Sequence, residues 1–169
     1  TNVVITTVDA LVASGATLTL NATNITGNLI FNGSAETNGA FILTGGALTN
    51  SITGGAGNDS ITGAAVSDTI SGGSGNDTIY GGNGTDSIDG GAGNDLISAG
   101  TTGSADAGTG TDTINGGDGD DSITGSAGSD SIDGGSGADS IVGGAGSDNI
   151  TGGSGLSLIH ISEPTRPER

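Results

Sequence analysis

The sequence predicts an all-β repeat fold, and three observations carry that prediction. A nine-residue unit recurs from Gly45 onward, each unit ends in a strand-forming triad centred on Ile, and Gly-rich sextets turn the chain between triads. Composition removes the usual rivals. The chain holds 37 Gly, no Cys, Met or Trp, and only Phe31, Phe41 and Tyr80 as aromatics, which is too little bulk for an ordinary globular core. A net charge of −17, from 19 acids and 2 bases, is unfit for binding phosphates. No run of about 20 apolar residues is present that could cross a membrane as a helix.

Residues 1–44 differ in texture from the rest. The stretches NVVITT (2–7), ATLTLN (16–21), GNLIFN (27–32) and AFILT (40–44) are β-branched or alternating and read as four short strands. Val3, Ile5, Leu18, Leu20, Leu29, Phe31, Phe41 and Leu43 form their candidate core. Two readings stay open: first rungs that cap a solenoid with larger side chains, or a piece of an upstream domain.

The repeat units begin at Gly45, Gly54, Gly63, Gly72, Gly81 and Gly90, then at Ala107, Gly116, Gly125, Gly134 and Gly143. Gly72 to Tyr80, GGSGNDTIY, is typical. Every unit has Ile at its eighth position, from Ile52 to Ile150. The sixth position is Asp59, Asp68, Asp77, Asp86, Asp95, Asp112, Asp121, Asp130, Asp139 or Asp148, with Asn50 the exception. A triad such as Thr78-Ile79-Tyr80 suits a short strand that points Ile to one face. The sextet before it must turn sharply, and Gly there lets backbone carbonyls converge on a ligand. One Ile per nine residues is too thin a core to order so Gly-rich a chain, so an external ligand is the expected missing contribution.

These nonamers resemble the calcium-binding nonapeptide (repeats-in-toxin, RTX, haemolysin-type) family, and the resemblance covers residues 45–155. It implies a right-handed parallel β-roll, a β-solenoid in which two nonamers make one turn and units two apart stack. Stacked carboxylates about 4.8 Å apart repel by roughly 1 kcal/mol in water and several times more at lower dielectric. Residues 1–155 hold 16 Asp, Glu36 and no Lys or Arg, so a column of Asp requires cations between its rungs. Oxygen-only ligands in flexible loops select calcium, with magnesium the lesser alternative. The implied ligands are the ten sixth-position Asp together with backbone carbonyls of the Gly loops, among them Gly55, Gly57, Gly73, Gly75, Gly91, Gly93, Gly108 and Gly110.

The register slips once, at the octamer AGTTGSAD (99–106), which has no Ile at its eighth position. Read as a distorted half-turn, it gives one column of Asp59, Asp77, Asp95, Asp112, Asp130 and Asp148, with five inter-rung sites. The other column is then Asn50, Asp68, Asp86, the octamer through Asp106, Asp121 and Asp139. Two to four sites are expected there. Leu48 and Val66 stand where its turns call for Gly, a β-branched residue resists positive φ, and Asn50 lacks charge. Ser126 at a second position and Ala107 at a first are milder departures, because backbone carbonyls are the expected ligands there.

The composition breaks sharply at the end. Leu156 to Arg166, LSLIHISEPTR, resembles one reading frame of the transposon-end adapter used to prepare sequencing libraries, so residues 156–169 are read as translated adapter. The rival is a genuine polar tail. With Thr1 in place of an initiator Met, both ends are expected to be breaks in a longer chain.

Catalytic signatures are missing. There is no His-Glu-x-x-His helix, no Gly-x-Ser-x-Gly elbow, and the single His160 lies in the tail. Paired carboxylates such as Asp120 and Asp121 recur with the loop period and read as ligands or solvated loop residues. The expected function is a non-enzymatic calcium-binding module of a secreted or cell-surface bacterial protein, monomeric within a larger chain. The resemblance implies export through type I secretion machinery in an unfolded, calcium-free state and folding outside. Two other readings stay open: a calcium-stiffened spacer of a surface adhesin, or the non-catalytic C-terminal part of a secreted hydrolase.

Overall fold

The computed structural model of the chain describes residues 2–7, 12–64, 66–101 and 110–161. Among these residues the regular elements are short strands that alternate between two parallel sheets. The first sheet runs, in spatial order, β1 (Val3–Thr6), β3 (Leu29–Asn32), β5 (Ser51–Ala56), β7 (Thr69–Ser74), β9 (Ser87–Ala92), β11 (Thr113–Asp118), β13 (Ser131–Ser136) and β15 (Asn149–Thr151). The second runs β2 (Thr17–Asn21), β4 (Ala40–Thr44), β6 (Ser60–Ala64), β8 (Thr78–Gly82), β10 (Leu96–Ser98), β12 (Ser122–Thr124), β14 (Ser140–Val142) and β16 (Leu158–His160). Two strands make one turn and each turn stacks on the one before: a parallel β-roll.

Alternation along each triad builds the core. The central Ile points inward while its polar neighbours point out. Ile70, Ile88, Ile114 and Ile132 stack in register in one sheet, and Ile61, Ile79, Ile97, Ile123 and Ile141 in the other. All of them are buried. Strands β1 to β4 continue both sheets, with Phe31 stacked on Ile52 and Leu43 on Ile61. Here Leu29, Phe31, Phe41 and Leu43 are fully buried, and the two Phe rings meet edge to face with centroids 5.0 Å apart. Val3, Ile5, Leu18 and Leu20 are only partly buried, because β1 and β2 have a neighbouring strand on one side alone. The beginning of the 156–169 tail also joins the roll, as β16 pairs with β14 and sets Ile159 on Ile141.

The half-turn reading of the octamer is wrong. Ile88 stacks on Ile114 and Ile97 on Ile123, so one turn contains 26 residues where its regular neighbours contain 18. No rung intervenes, because β9 pairs directly with β11 and β10 with β12. The physical reason is the missing Ile: a rung with nothing to bury gains too little to order itself. Ala99, not Ala107, fills the first position of this turn. Its carbonyl accepts the Gly82 N–H at 2.9 Å and its N–H donates to the Thr124 carbonyl at 3.0 Å. Asp106, Ala107 and Gly108 lie outside the described residues. The columns are therefore Asp59, Asp77, Asp95, Asp121, Asp139 on one edge and Asn50, Asp68, Asp86, Asp112, Asp130, Asp148 on the other.

Among the described residues, second positions from the third unit onward carry left-handed φ, as at Gly73 and Gly91, and two side chains occupy the same strained place. Ala64 has φ 115° and Ser126 φ 92°. Ser126 is less benign than its sequence position suggests, since its hydroxyl is also buried without a partner. Leu48, by contrast, does not adopt positive φ.

Deleting residues 101–108 joins Ala99-Gly100 to Thr109-Gly110-Thr111-Asp112 and restores a regular sextet. The shortened chain should bind as many calcium ions as the parent and melt no lower in calcium, because closing a shorter loop costs slightly less. A lower Tm or a lost ion contradicts this register. Ser126→Gly removes both the strained φ and the orphaned hydroxyl, and should stabilise the calcium-loaded roll by about 1–2 kcal/mol in thermal denaturation.

Candidate metal centres

Each sixth-position residue sits in the tight turn that carries the chain from one sheet to the other. Turns entering the second sheet form edge one, with Asp59, Asp77, Asp95, Asp121 and Asp139. Turns entering the first sheet form edge two, with Asn50, Asp68, Asp86, Asp112, Asp130 and Asp148. All are buried except Asp148, which is half-buried.

The two oxygens of each carboxylate have different fates. Oδ1 accepts the backbone N–H of the residue stacked one turn earlier: Asp59 to Asp77 at 2.8 Å, Asp77 to Asp95 at 2.8 Å, Asp95 to Asp121 at 2.8 Å. Edge two repeats this, with Asp68 to Asp86 at 2.8 Å and Asp86 to Asp112 at 2.7 Å. Oδ2 of Asp68, Asp77, Asp86, Asp95, Asp112, Asp121, Asp130 and Asp148 is buried and has no hydrogen-bond partner. Asp59 and Asp139 differ, because their Oδ2 atoms accept from the Gly55 N–H at 2.9 Å and the Ser157 hydroxyl at 3.2 Å.

The glycines shape what surrounds that oxygen. A Cβ added at Gly72 would overlap both Asp77 Oδ2 and the Gly90 carbonyl oxygen of the next turn. The same pairing recurs at Gly90 with Asp95 and the Gly116 carbonyl, and at Gly116 with Asp121 and the Gly134 carbonyl. Unpartnered carboxylate oxygens therefore converge with backbone carbonyl oxygens in the space that a side chain would fill. The carbonyls of Gly55, Gly57, Gly73 and Gly75 also lie between turns, against the Cα atoms of Gly73, Gly75, Gly91 and Gly93. Gly73, Gly75, Gly91 and Gly93 have left-handed φ; Gly55 and Gly57 do not. Gly110 packs against the Gly84 carbonyl, with Asp112 Oδ1 3.0 Å from where its Cβ would stand.

This donor set fits a hard cation. No group of three or more His, Cys, Asp or Glu side chains is clustered among the described residues, so backbone carbonyls must complete any coordination sphere. Calcium accepts six to eight oxygens in irregular geometry, and two carboxylates plus loop carbonyls per interval suit it better than magnesium, which demands an octahedron. Buried oxygens facing one another without a donor are costly until a cation or a proton joins them.

Two features escape a reading of the sixth position alone. On edge one the fifth-position side chains form an outer ladder: Asn76 N–H to Asn58 Oδ1 at 2.9 Å, Asn94 N–H to Asn76 Oδ1 at 2.9 Å, Asp120 N–H to Asn94 Oδ1 at 3.0 Å and Ala138 N–H to Asp120 Oδ1 at 2.7 Å. On edge two the fifth position is a hydroxyl, as in Thr85 N–H to Ser67 Oγ at 3.2 Å. Sorting the units by that residue would have assigned the edges correctly. Glu36 is the second feature, a fully buried carboxylate whose Oε2 accepts the Val12 N–H at 3.0 Å.

Burial pushes the carboxyls of Asp59, Asp68, Asp77, Asp86, Asp95, Asp112, Asp121 and Asp130 up, against the pull of their backbone N–H donors. Asp77 rises to about 7, with repulsion from Asp59 and Asp95 adding to the effect. Asp68, Asp86, Asp112, Asp121 and Asp130 rise to about 6. An acid whose folded pKa is raised stabilises the fold below its unfolded pKa, and that contribution is lost as pH climbs through the folded value. In chelator the chain should therefore hold more β-structure by circular dichroism at about pH 4.5 than at about pH 7.5. The opposite order contradicts the burial of these carboxylates.

The chain matches the RTX calcium-binding nonapeptide repeat in four copies, over residues 44–65, 65–97, 106–141 and 133–156. No curated protein matches it. The matched repeats cover more than half of the sequence, and they coincide with the turns that line both edges. The chain belongs to the RTX calcium-binding nonapeptide repeat family.

Proposed function

We propose that the chain is a calcium-binding β-roll module of a secreted or surface bacterial protein, exported unfolded through a type I channel and folded outside by calcium. The observation that carries this reading is the set of buried Asp Oδ2 atoms without partners on both edges. In a calcium-poor compartment these oxygens repel and the thin Ile core cannot hold the turns. Where calcium is plentiful, each interval between consecutive Asp of one edge is a site. Edge one offers 59–77, 77–95, 95–121 and 121–139; edge two offers 68–86, 86–112, 112–130 and 130–148. The ten sixth-position Asp supply side-chain ligands and the glycine loops supply carbonyls. The module itself performs no catalysis; the repeat family it belongs to is a binding one.

Circular dichroism of the chain titrated with calcium tests this directly. A coil-to-β transition is expected at about 0.1–1 mM calcium, the range of extracellular modules, reversed by chelator and weak with magnesium. An unchanged spectrum removes calcium-coupled folding. Asp95→Ala should cost two bound ions, since Asp95 Oδ1 faces the interval below and Oδ2 the interval above, and should raise the calcium midpoint.

A further inference from the structure

Asn50 is the one sixth position in the matched repeats that is not acidic, and its carboxamide is fully bonded. Oδ1 accepts the N–H groups of Leu29 at 3.0 Å and Gly46 at 3.1 Å. Nδ2 donates to the Gly46 carbonyl at 3.2 Å, the Gly63 carbonyl at 3.2 Å and Asp68 Oδ1 at 2.9 Å. The partners fix the orientation of the amide: turned over, it would set oxygen against three oxygens and nitrogen against two N–H groups.

The place that Nδ2 occupies is the informative part. A Cβ added at Gly45 would meet Asn50 Nδ2 and the Gly63 carbonyl, just as one at Gly72 would meet Asp77 Oδ2 and the Gly90 carbonyl. Asn50 Nδ2 therefore stands where the later turns carry an oxygen without a partner. It reaches the carbonyl of its own turn, the carbonyl of the next turn and the next Asp in one step. Ser157 shows that a neutral donor can serve in such a turn. Its hydroxyl donates to Asp139 Oδ2 at 3.2 Å and to the Gly152 carbonyl at 2.8 Å, and Asp139 has no orphaned oxygen.

We propose that the Asn50 carboxamide takes the place of a calcium ion in the first interval of edge two, giving the roll a metal-independent starting turn. That turn adjoins the Phe31–Phe41 pair, where the core is bulkiest. Calcium-loaded turns then add onto a platform that already presents Asp68 in position. The inference rests on calcium occupying the Asp intervals.

The test exchanges the two residue types in the full chain and counts ions by equilibrium dialysis with calcium alone at saturation. Asn50→Asp should bind one more ion than the parent, and Asp77→Asn one fewer, with β-structure kept in both. In chelator, slow amide exchange at Leu29 and Gly46 should persist in the parent and vanish in Asn50→Asp. A parent that binds no calcium overturns the proposed function and this inference together. A parent that binds calcium, with either folded variant unchanged in ion count, overturns this inference alone. If Asn50→Asp does not fold, Asp77→Asn decides.

Discussion

The structure depends on one unsatisfied demand, a buried carboxylate oxygen repeated at eight turns along the two edges. Oδ1 of each Asp is spent on the backbone N–H of the preceding turn and sets the rung spacing. Oδ2 is left facing carbonyls with no donor in reach. Residues 1–155 contain no Lys or Arg that could answer it. The same groups that align the turns therefore oppose their stacking, and only an added cation or proton reconciles the two. Under the proposed function this arrangement is a switch without a moving part, set by the ion concentration.

Glycine explains why the demand can be met by a small ion and not by protein. At Gly72, Gly90 and Gly116 the absent Cβ leaves room for the Asp carboxylate of the same turn and the carbonyl of the next to approach the same point. Any side chain there would displace the carboxylate. Where the chain does supply a donor from the sixth position, as at Asn50 and Ser157, the orphaned oxygen disappears. The core is correspondingly minimal. Stacked Ile fills the repeats, while Phe31 and Phe41 thicken the first turns.

Much of this was legible in the sequence. The nine-residue period fixed the triads, the inward Ile and the Asp turns, and alternation in 1–44 located β1 to β4. The edge assignment was not legible from the period alone. An eight-residue excess can be a half-turn or an excursion, and the sixth position is Asp under either reading. What decides is burial: the octamer brings no Ile, so it cannot pack as a rung. The fifth position held the missing signal. Asn58, Asn76, Asn94 and Asp120 share an edge only if the octamer is excluded. Glu36 and the roles of Asn50 and Ser126 depend on which atoms meet across turns, and no spacing rule reports that.

The most direct measurement is anomalous diffraction from crystals of the chain grown with terbium in place of calcium. The account predicts a line of ions along each edge, each in contact with Oδ2 of one Asp and Oδ1 of the next, with none between Asn50 and Asp68. Ions scattered over the outer sheet faces, or a roll that closes with the Asp intervals empty at neutral pH, would contradict it.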